Sequence, residues 1–259
     1  MTGLGLQELV IIALAGLAAG FVNAIASGGN LIAFPVLMAI GMPPMLANVT
    51  STVSVTPSNA SGAYAQRTRL EGQRPRIRVL VPIAVAGAVV GAGLLLVTPP
   101  DVFEYLIPVL LALGVTFVII SPRLKRRLGL ACSLEPTGRR ALAVSASGLF
   151  VAGVYGGYSG GGLGIIILAV LGAAIVDSVT RIVALKQLLS TAIGVTATSI
   201  FLFSGDIVWI AAGVMLVCAL TGGFAGGHMI GRVPPTVLRY AIIAIGLIVT
   251  VVFTVRIYF

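Results

Sequence analysis

The sequence has 259 residues, of which 58% are hydrophobic and only 9% are charged, and its net charge is +9. Soluble domains carry about 25% charged residues, so this composition excludes a surface that faces water on all sides and indicates a chain embedded in a bilayer. The basic residues cluster in short loops between apolar segments, which is typical of the positive-inside pattern of membrane proteins rather than of nucleic-acid binding.

Ten apolar segments follow one another along the chain. A spanning helix needs roughly 20 apolar residues, and the second and seventh segments are shorter than that. The sequence therefore predicts an all-α integral membrane protein with about 8–10 membrane-inserted helices, including short broken or re-entrant segments. The apolar segments cover residues 6–26, 30–41, 46–65, 78–97, 102–121, 141–158, 161–176, 182–203, 207–230 and 235–257.

The first five segments and the last five repeat one another. Ser27–Gly29 recurs as Ser159–Gly161 at an offset of 132 positions, and Pro99-Pro100 recurs as Pro234-Pro235 at an offset of 135. Such internal repeats are common in secondary transporters. The predicted divisions are a first transmembrane repeat in residues 1–121, a basic cytoplasmic linker in 122–140 and a second transmembrane repeat in 141–259.

Basic loops predict how each half is oriented. The loop Arg67–Arg78 holds five arginines and one acid, so we expect it in the cytoplasm. Its counterpart, Ser204–Asp206, has no basic residue and is expected outside. The two halves are therefore predicted to run through the membrane in opposite directions, as inverted-topology repeats. This scheme leaves Arg256 on the outside.

Each short segment follows directly on or overlaps a glycine-rich break, at Ser27–Asn30 and at Ser159–Gly164. Irregular backbone at membrane depth is tolerated where it is buried in protein or lines a water-filled cavity. A helix that restarts after such a break directs free N–H groups and its positive dipole end at one place, which favours an anion. The paired breaks therefore predict a substrate site between the halves, near the middle of the membrane.

Close helix packing is the alternative explanation for glycines in a membrane chain, because small residues let backbones approach each other. For the breaks we favour the binding interpretation, since serine and asparagine accompany the glycines. For glycines that recur four residues apart we favour packing. These are Gly87, Gly91, Gly222 and Gly226.

Lys186 is the charged residue that stands out, because it lies within the apolar stretch Ile182–Leu189. A charge inside a span is costly, so it indicates a functional role. One interpretation makes Lys186 a substrate-binding charge. The other has it extend to the cytoplasmic surface or pair with Asp177, and the sequence leaves both open. Arg181 is expected at the membrane surface.

Other chemistry finds little support in the sequence. No acidic residue lies clearly in mid-span, which argues against a carboxylate-lined cation or proton pathway. His228 could relay a proton near neutral pH, although we favour a packed side chain. Cys132 and Cys218 lack the spacing of metal ligands. Without a P-loop or an HExxH motif, we expect neither an ATP-driven pump nor an enzyme, and no cofactor or metal.

Both repeats carry recognisable motifs. They include Gly20-Phe-Val-Asn-Ala-Ile-Ala-Ser-Gly-Gly-Asn30 in the first half, and Tyr158-Ser-Gly-Gly-Gly-Leu-Gly164 and Gly231-Arg-Val-Pro-Pro235 in the second. In these motifs the chain resembles the TauE/SafE sulfite exporter-like permeases over almost its whole length. Asn30 stands where a further glycine is common in that family. The resemblance implies a transporter of sulfite, an organosulfonate or a related sulfur compound.

We therefore hypothesise a secondary transporter, an exporter of a small sulfur-containing anion, that works by alternating access and lies as a multi-pass protein in the cell inner (plasma) membrane. The alternatives are an anion channel, a permease for a different small anion, and a membrane-embedded assembly protein without flux. Expected partners are the small anionic substrate and membrane lipid, with a homodimer possible and no nucleic acid. The expected substrate-binding residues are Ser27, Gly28, Gly29, Asn30, Thr50, Ser51, Asn59, Ser159, Gly160, Gly161, Gly162, Lys186 and Gln187.

Overall fold

The computed structural model describes residues 4–26, 28–131, 139–175, 177–204, 207–228 and 235–258. These residues form ten α-helices and a short 3-10 turn at Arg67–Leu70, with no β-strand among them, which confirms the all-α class. The helices are α1 (Leu6–Ala26), α2 (Asn30–Ala39), α3 (Pro44–Ala65), α4 (Arg74–Val97), α5 (Pro100–Ala131), α6 (Arg139–Tyr158), α7 (Leu163–Ala174), α8 (Val179–Phe201), α9 (Trp209–His228) and α10 (Pro235–Tyr258).

Several helices have the length and composition of membrane spans. Within the described residues, four segments are long and apolar enough to cross a bilayer, namely Leu6–Ala24, Arg74–Val97, Thr180–Phe201 and Trp209–Gly226. Helices α2 and α7 have 10 and 12 residues. At about 1.5 Å of rise per residue, each is too short to cross a hydrocarbon core of about 30 Å alone.

The two halves are interlocked, because each packs its fourth helix against the first helix of the other. Helix α1 lies along α9, and α4 lies along α6. A Cβ atom at Gly20 would collide with the carbonyl oxygen of Ala219, and one at Gly91 with that of Val154. The same close approach occurs at the other glycines that recur four residues apart, which confirms their packing role. Those glycines are Gly87, Gly222 and Gly226.

The direction of neighbouring helices shows how the halves are related. Helices α3 and α8 hold equivalent places in the two halves, and they pack against each other. Thr56 meets Gly194, whereas Asn59, further along α3, meets Gln187, which comes earlier on α8. The two equivalent helices therefore run antiparallel. This is the relation expected of inverted repeats.

Two clusters of buried apolar side chains flank the pair α3 and α8. One joins α4, α6, α7 and α8, and the other includes residues of α1, α2, α3 and α9. Along the seam between α3 and α8 the buried side chains are largely polar, including Thr52, Thr56, Ser58, Gln187 and Ser190. A polar seam between two apolar cores is therefore the place where the fold can hold a polar ligand.

Candidate functional site

A cavity lies where α1, α2, α3, α6, α7 and α8 meet. Its volume is about 40 Å³. Among the described residues that line it, the polar side chains are amides and hydroxyls, with no carboxylate and no basic group. The lining consists of Asn23, Asn30, Thr52, Val55, Thr56, Asn59, Gly156, Gly160, Leu163, Gly164, Ser190 and Gly194.

Helix α3 presents one face to this cavity. Thr52, Val55, Thr56 and Asn59 follow the spacing i, i+3, i+4 and i+7, which places them on one side of a helix. Of the predicted site residues on α3, Asn59 therefore reaches the cavity. Thr50 and Ser51 do not line it, and they bond elsewhere.

Thr50 and Ser51 are buried near the first turns of α3. The Oγ1 of Thr50 accepts a hydrogen bond from the N–H of Val208 at 3.3 Å, and the Oγ of Ser51 donates to the carbonyl of Asn48 at 2.9 Å. Thr50 thus joins α3 to the segment that precedes α9. Both residues are placed to hold the helix, outside the cavity lining.

Most backbone N–H groups at the start of α2 donate hydrogen bonds to carbonyls of the break that precedes it. Ser27 lies outside the described residues. The carbonyls of Gly28 and Gly29 accept hydrogen bonds of 3.0 Å from the amides of Leu31, Ile32 and Ala33. The predicted array of free N–H groups is therefore largely paired within the first turn of α2.

Asn23, which is not among the predicted site residues, holds this side of the cavity together through hydrogen bonds. Its Oδ1 accepts from the N–H of Gly29 at 3.4 Å, and its Nδ2 donates to Ser58 Oγ at 3.0 Å and Asn59 Oδ1 at 2.7 Å. A backbone N–H can only donate, so it fixes the orientation of the Asn23 amide. Asn59 must then accept through Oδ1. Gln187 donates to the same oxygen at 3.3 Å.

The orientation of Asn59 determines what the cavity offers a ligand. Because its Oδ1 is occupied by two donors, its Nδ2 group is left for the cavity, and it donates to no acceptor within the described part of the chain. Ser190 is 2% exposed, and its Oγ has no partner among the described residues. The cavity therefore presents at least two side-chain groups that can donate a hydrogen bond.

The break before α7 is shaped by its backbone. Gly160 and Gly162 have φ angles of +69° and +75°, in the left-handed region that favours glycine. The hydroxyl of Tyr155 donates to the carbonyl of Gly161 at 2.7 Å. Gly164, in the first turn of α7, lines the cavity, and its N–H donates to no carbonyl in the described residues. This helix start adds a backbone donor to the site.

The two breaks meet, as their predicted places in the repeat require. The Nδ2 of Asn30 lies 3.4 Å from the carbonyl oxygen of Ser159 and 3.4 Å from Thr52 Oγ1. The Nδ2 of Asn48 donates to the preceding carbonyl, that of Tyr158, at 2.9 Å. Two asparagines of the first half thus bond the last carbonyl of α6 and the carbonyl that follows it, since carbonyls at a helix end lack partners within the helix.

Lys186 lies beside the cavity, not in its lining. It is 1% exposed, and it precedes Ser190 by one turn on the same face of α8. The alternative in which it extends to the surface is therefore wrong. Pairing with Asp177 also finds no support, because that carboxylate bonds Arg76 at 2.6 Å and Arg181 at 3.4 Å.

Asp177, between α7 and α8, ties the basic loop to the start of α8. Burial acts to raise the pKa of Asp177, but hydrogen bonds from Arg76 and the Ser178 N–H, with the charges of Arg181 and Arg76, outweigh it and hold that pKa below its ordinary value. Arg181 also donates to the carbonyl of Glu71 at 2.9 Å. Arg181 therefore anchors a loop and does not reach the cavity.

Some cavity residues could have been found from the sequence. Counting back along α3 from Asn59 in steps of three and four reaches Thr56 and Thr52, and Ser190 matches Ser58 in the repeat. Asn23 has a weaker signal, a single amide inside an apolar span. The side chain of His228, where α9 ends, lies outside what the structure describes.

Comparison with known proteins gives a consistent result. The pattern of the family described as "Sulfite exporter TauE/SafE" matches residues 12–253. A "Probable membrane transporter protein" of Haemophilus influenzae is 26% identical over 254 residues, covering 95% of this chain and 94% of the relative. "Probable membrane transporter protein YfcA" of Escherichia coli K12 is 24% identical over 82% of this chain and 77% of its own length. No solved structure gives a significant match.

Proposed function

The chain belongs to the TauE/SafE sulfite exporter family, a family of membrane transport proteins, and on that premise we propose that it exports a small sulfur-containing anion, such as sulfite or an organosulfonate. Transport proceeds by alternating access across the inner membrane, as in a secondary transporter. The observation that carries the proposal is the cavity between the two breaks, with its uncharged lining of amides, hydroxyls and a helix start.

The donors of this cavity suit an oxyanion. Asn59 Nδ2, Ser190 Oγ and the Gly164 N–H are uncharged groups that can donate to one ligand, and the α7 dipole adds a partial positive charge. Hydrogen bonds to a charged acceptor contribute about 1.5–3 kcal/mol each, more than those to neutral groups. The described part of the lining has no carboxylate, which favours an anion over a cation.

Lys186 supplies long-range attraction in this proposal. A unit charge roughly 8 Å from an anion contributes about 2 kcal/mol at an effective dielectric constant of about 20. Because Lys186 lies one turn from Ser190, it acts on the anion without touching it. Gln187 supports the site differently, by holding Asn59 through hydrogen bonds of 3.2 and 3.3 Å.

Flux measurements on reconstituted protein test the proposal. We expect saturable sulfite uptake into proteoliposomes, accelerated by sulfite on the opposite side. Lys186→Met should lower the uptake rate at least fivefold, since the lost attraction corresponds to more than a factor of ten in affinity. Arg78→Met, which removes an exposed charge, is the matched control and should leave uptake unchanged.

The same preparation separates the proposal from its rivals. Unchanged uptake in Lys186→Met would remove this lysine from the mechanism. Conductance that does not saturate, recorded across a planar bilayer, would indicate an anion channel instead of a carrier. Absence of flux for sulfite and for simple sulfonates alike would overturn the proposed substrate class.

A further inference from the structure

Asn30 differs from the other polar groups of the cavity, because its geometry offers an acceptor. Its Nδ2 faces the carbonyl oxygen of Ser159, which can only accept. Turning the amide over would bring two oxygens together, so the orientation is fixed even though amide nitrogen and oxygen look alike by shape. The Oδ1 of Asn30 therefore faces away from Ser159.

This oxygen is buried and has no partner among the described residues. A buried acceptor without a hydrogen bond is unfavourable, and most such groups in proteins are paired. Asn30 belongs to the cavity lining, so a small movement of its side chain toward the cavity would let an occupant supply the missing donor.

The repeat does not provide a second acceptor of this kind. The position of the second half that corresponds to Asn30 is Gly162, which has no side chain and a left-handed backbone. On the opposite side of the cavity Ser190 can donate, and Gly164 adds an N–H. Among the described lining residues, the site is therefore asymmetric, because the unpaired amide oxygen comes from the first half and the Ser190 hydroxyl and Gly164 N–H come from the second.

Resting on the proposed function, we propose that the preferred substrate is an oxyanion that also carries one O–H or N–H group, and that Asn30 selects it by accepting that hydrogen bond. The anionic group takes the donors of Asn59, Ser190 and Gly164. The O–H or N–H group pairs with Asn30 Oδ1. An anion without a donor leaves this oxygen unpaired and binds more weakly.

Matched ligands test this inference by calorimetry on the purified full-length protein. The probes are ethanesulfonate and 2-hydroxyethanesulfonate, together with propionate and 3-hydroxypropionate. In the unmodified protein we expect 2-hydroxyethanesulfonate to bind about tenfold more tightly than ethanesulfonate. This difference in affinity corresponds to one hydrogen bond to a buried acceptor. Asn30→Ala should reduce that ratio to about one.

Thr52→Val is the control variant. It removes the hydroxyl beside Asn30 Nδ2 but leaves Oδ1 in place, so both sulfonates should weaken alike and the tenfold ratio should remain. If Asn30→Ala does not fold, the ratio of the two sulfonate affinities in the unmodified protein and in Thr52→Val still tests the inference. Equal affinity for the two sulfonates overturns the role of Asn30.

The carboxylate pair separates this inference from the proposed function. A hydroxyl preference among carboxylates, with no sulfonate binding, overturns the sulfur-anion proposal and supports the role of Asn30. Sulfonate binding without a hydroxyl preference supports the proposed function and overturns the role of Asn30. If none of the four probes binds, both proposals fail.

Discussion

A buried side-chain amide fixes the break before α2, whereas left-handed glycines set the path of the break before α7. Asn23 bonds the amide of Gly29 in the first break, and Gly160 and Gly162 adopt left-handed conformations in the second. Both repeats therefore have a helix break at the matching place, but different interactions stabilise the two breaks. As a result the cavity receives side-chain amides and hydroxyls from the first half, and the start of α7 with the Ser190 hydroxyl from the second.

The largest expected effect comes from removing the side-chain support of the first break. Asn23→Ala removes three buried hydrogen bonds, to the Gly29 N–H, Ser58 Oγ and Asn59 Oδ1, and Asn59 Oδ1 keeps only Gln187 as a donor, at about 3 kcal/mol in total. We expect the unfolding midpoint in detergent to fall by roughly 6–12 °C, at about 2–4 °C per kcal/mol. Differential scanning fluorimetry measures it.

Tyr155→Phe is the matched variant in the second break. It removes the hydroxyl whose single proton is shared between the Gly161 carbonyl at 2.7 Å and the Leu110 carbonyl at 3.3 Å, and should lower the midpoint by only about 2–4 °C, because the left-handed glycines still shape the turn. If Tyr155→Phe were as damaging as Asn23→Ala, the contrast between a side-chain break and a backbone break would be wrong.

Glycine substitutions in the second break should have intermediate effects that differ from each other. Gly162→Ala forces a left-handed alanine, at about 1–2 kcal/mol, but its Cβ would come no closer than 3.4 Å to Gly114. Gly160→Ala adds a Cβ only 2.8 Å from Asn30 Nδ2. We expect Gly160→Ala to lower the midpoint further than Gly162→Ala.

Ligand binding provides a second readout for the same pair. Gly160→Ala should also disturb the hydroxyl preference that we assign to Asn30, because it displaces that side chain, whereas Gly162→Ala should preserve it. Identical behaviour of the two variants in both measurements would contradict the contact between the breaks.

The smallest expected effect concerns the far end of the second short helix. Asp177 follows α7 and bonds Arg76 and Arg181, whereas the matching place in the first half is Met45. The pKa of Asp177 is lower in the folded state than in the unfolded state. The stabilisation that its carboxylate provides is therefore complete above the ordinary pKa of about 3.9, and it is lost as pH falls through the pKa of the folded state. With Arg76 40% exposed, we expect at most about 1 kcal/mol.

The midpoint difference between the unmodified protein and Asp177→Asn measures this contribution. It should stay constant from neutral pH to about pH 5 and then shrink on further acidification. Glu104→Gln, which removes an exposed carboxylate, is the charge-matched control. A difference that grows as pH falls would have the wrong sign for a carboxylate of lowered pKa.

The positions of most helices could be predicted from the sequence, because the length of an apolar segment can be counted directly along the chain. The first apolar segment, 6–26, coincides with α1, and 141–158 lies within two residues of α6. The segment 102–121 is shorter than α5, which continues to Ala131. Hydropathy marks where a chain leaves an apolar environment, and a helix can continue past that point.

The site was predicted less completely, for physical reasons. Helix α3 carries hydroxyls on several faces, so composition could not separate Thr52, which lines the cavity, from Thr50 and Ser51, which bond elsewhere. Choosing the face requires the position of α8. Asn23 was missed because one amide in an apolar span gives the same sequence signal whether it organises a site or merely packs.

The pairing of α1 with α9 also has a consequence for how the protein is made. Helix α1 leaves the ribosome first, but α9 is synthesised about 180 residues later, roughly 10–40 seconds at 5–20 residues per second. Throughout that interval the small-residue groove of α1 around Gly16 and Gly20 has no permanent neighbour. The newly made first half therefore stays in contact with lipid, or with an insertion factor, until the second half has been synthesised.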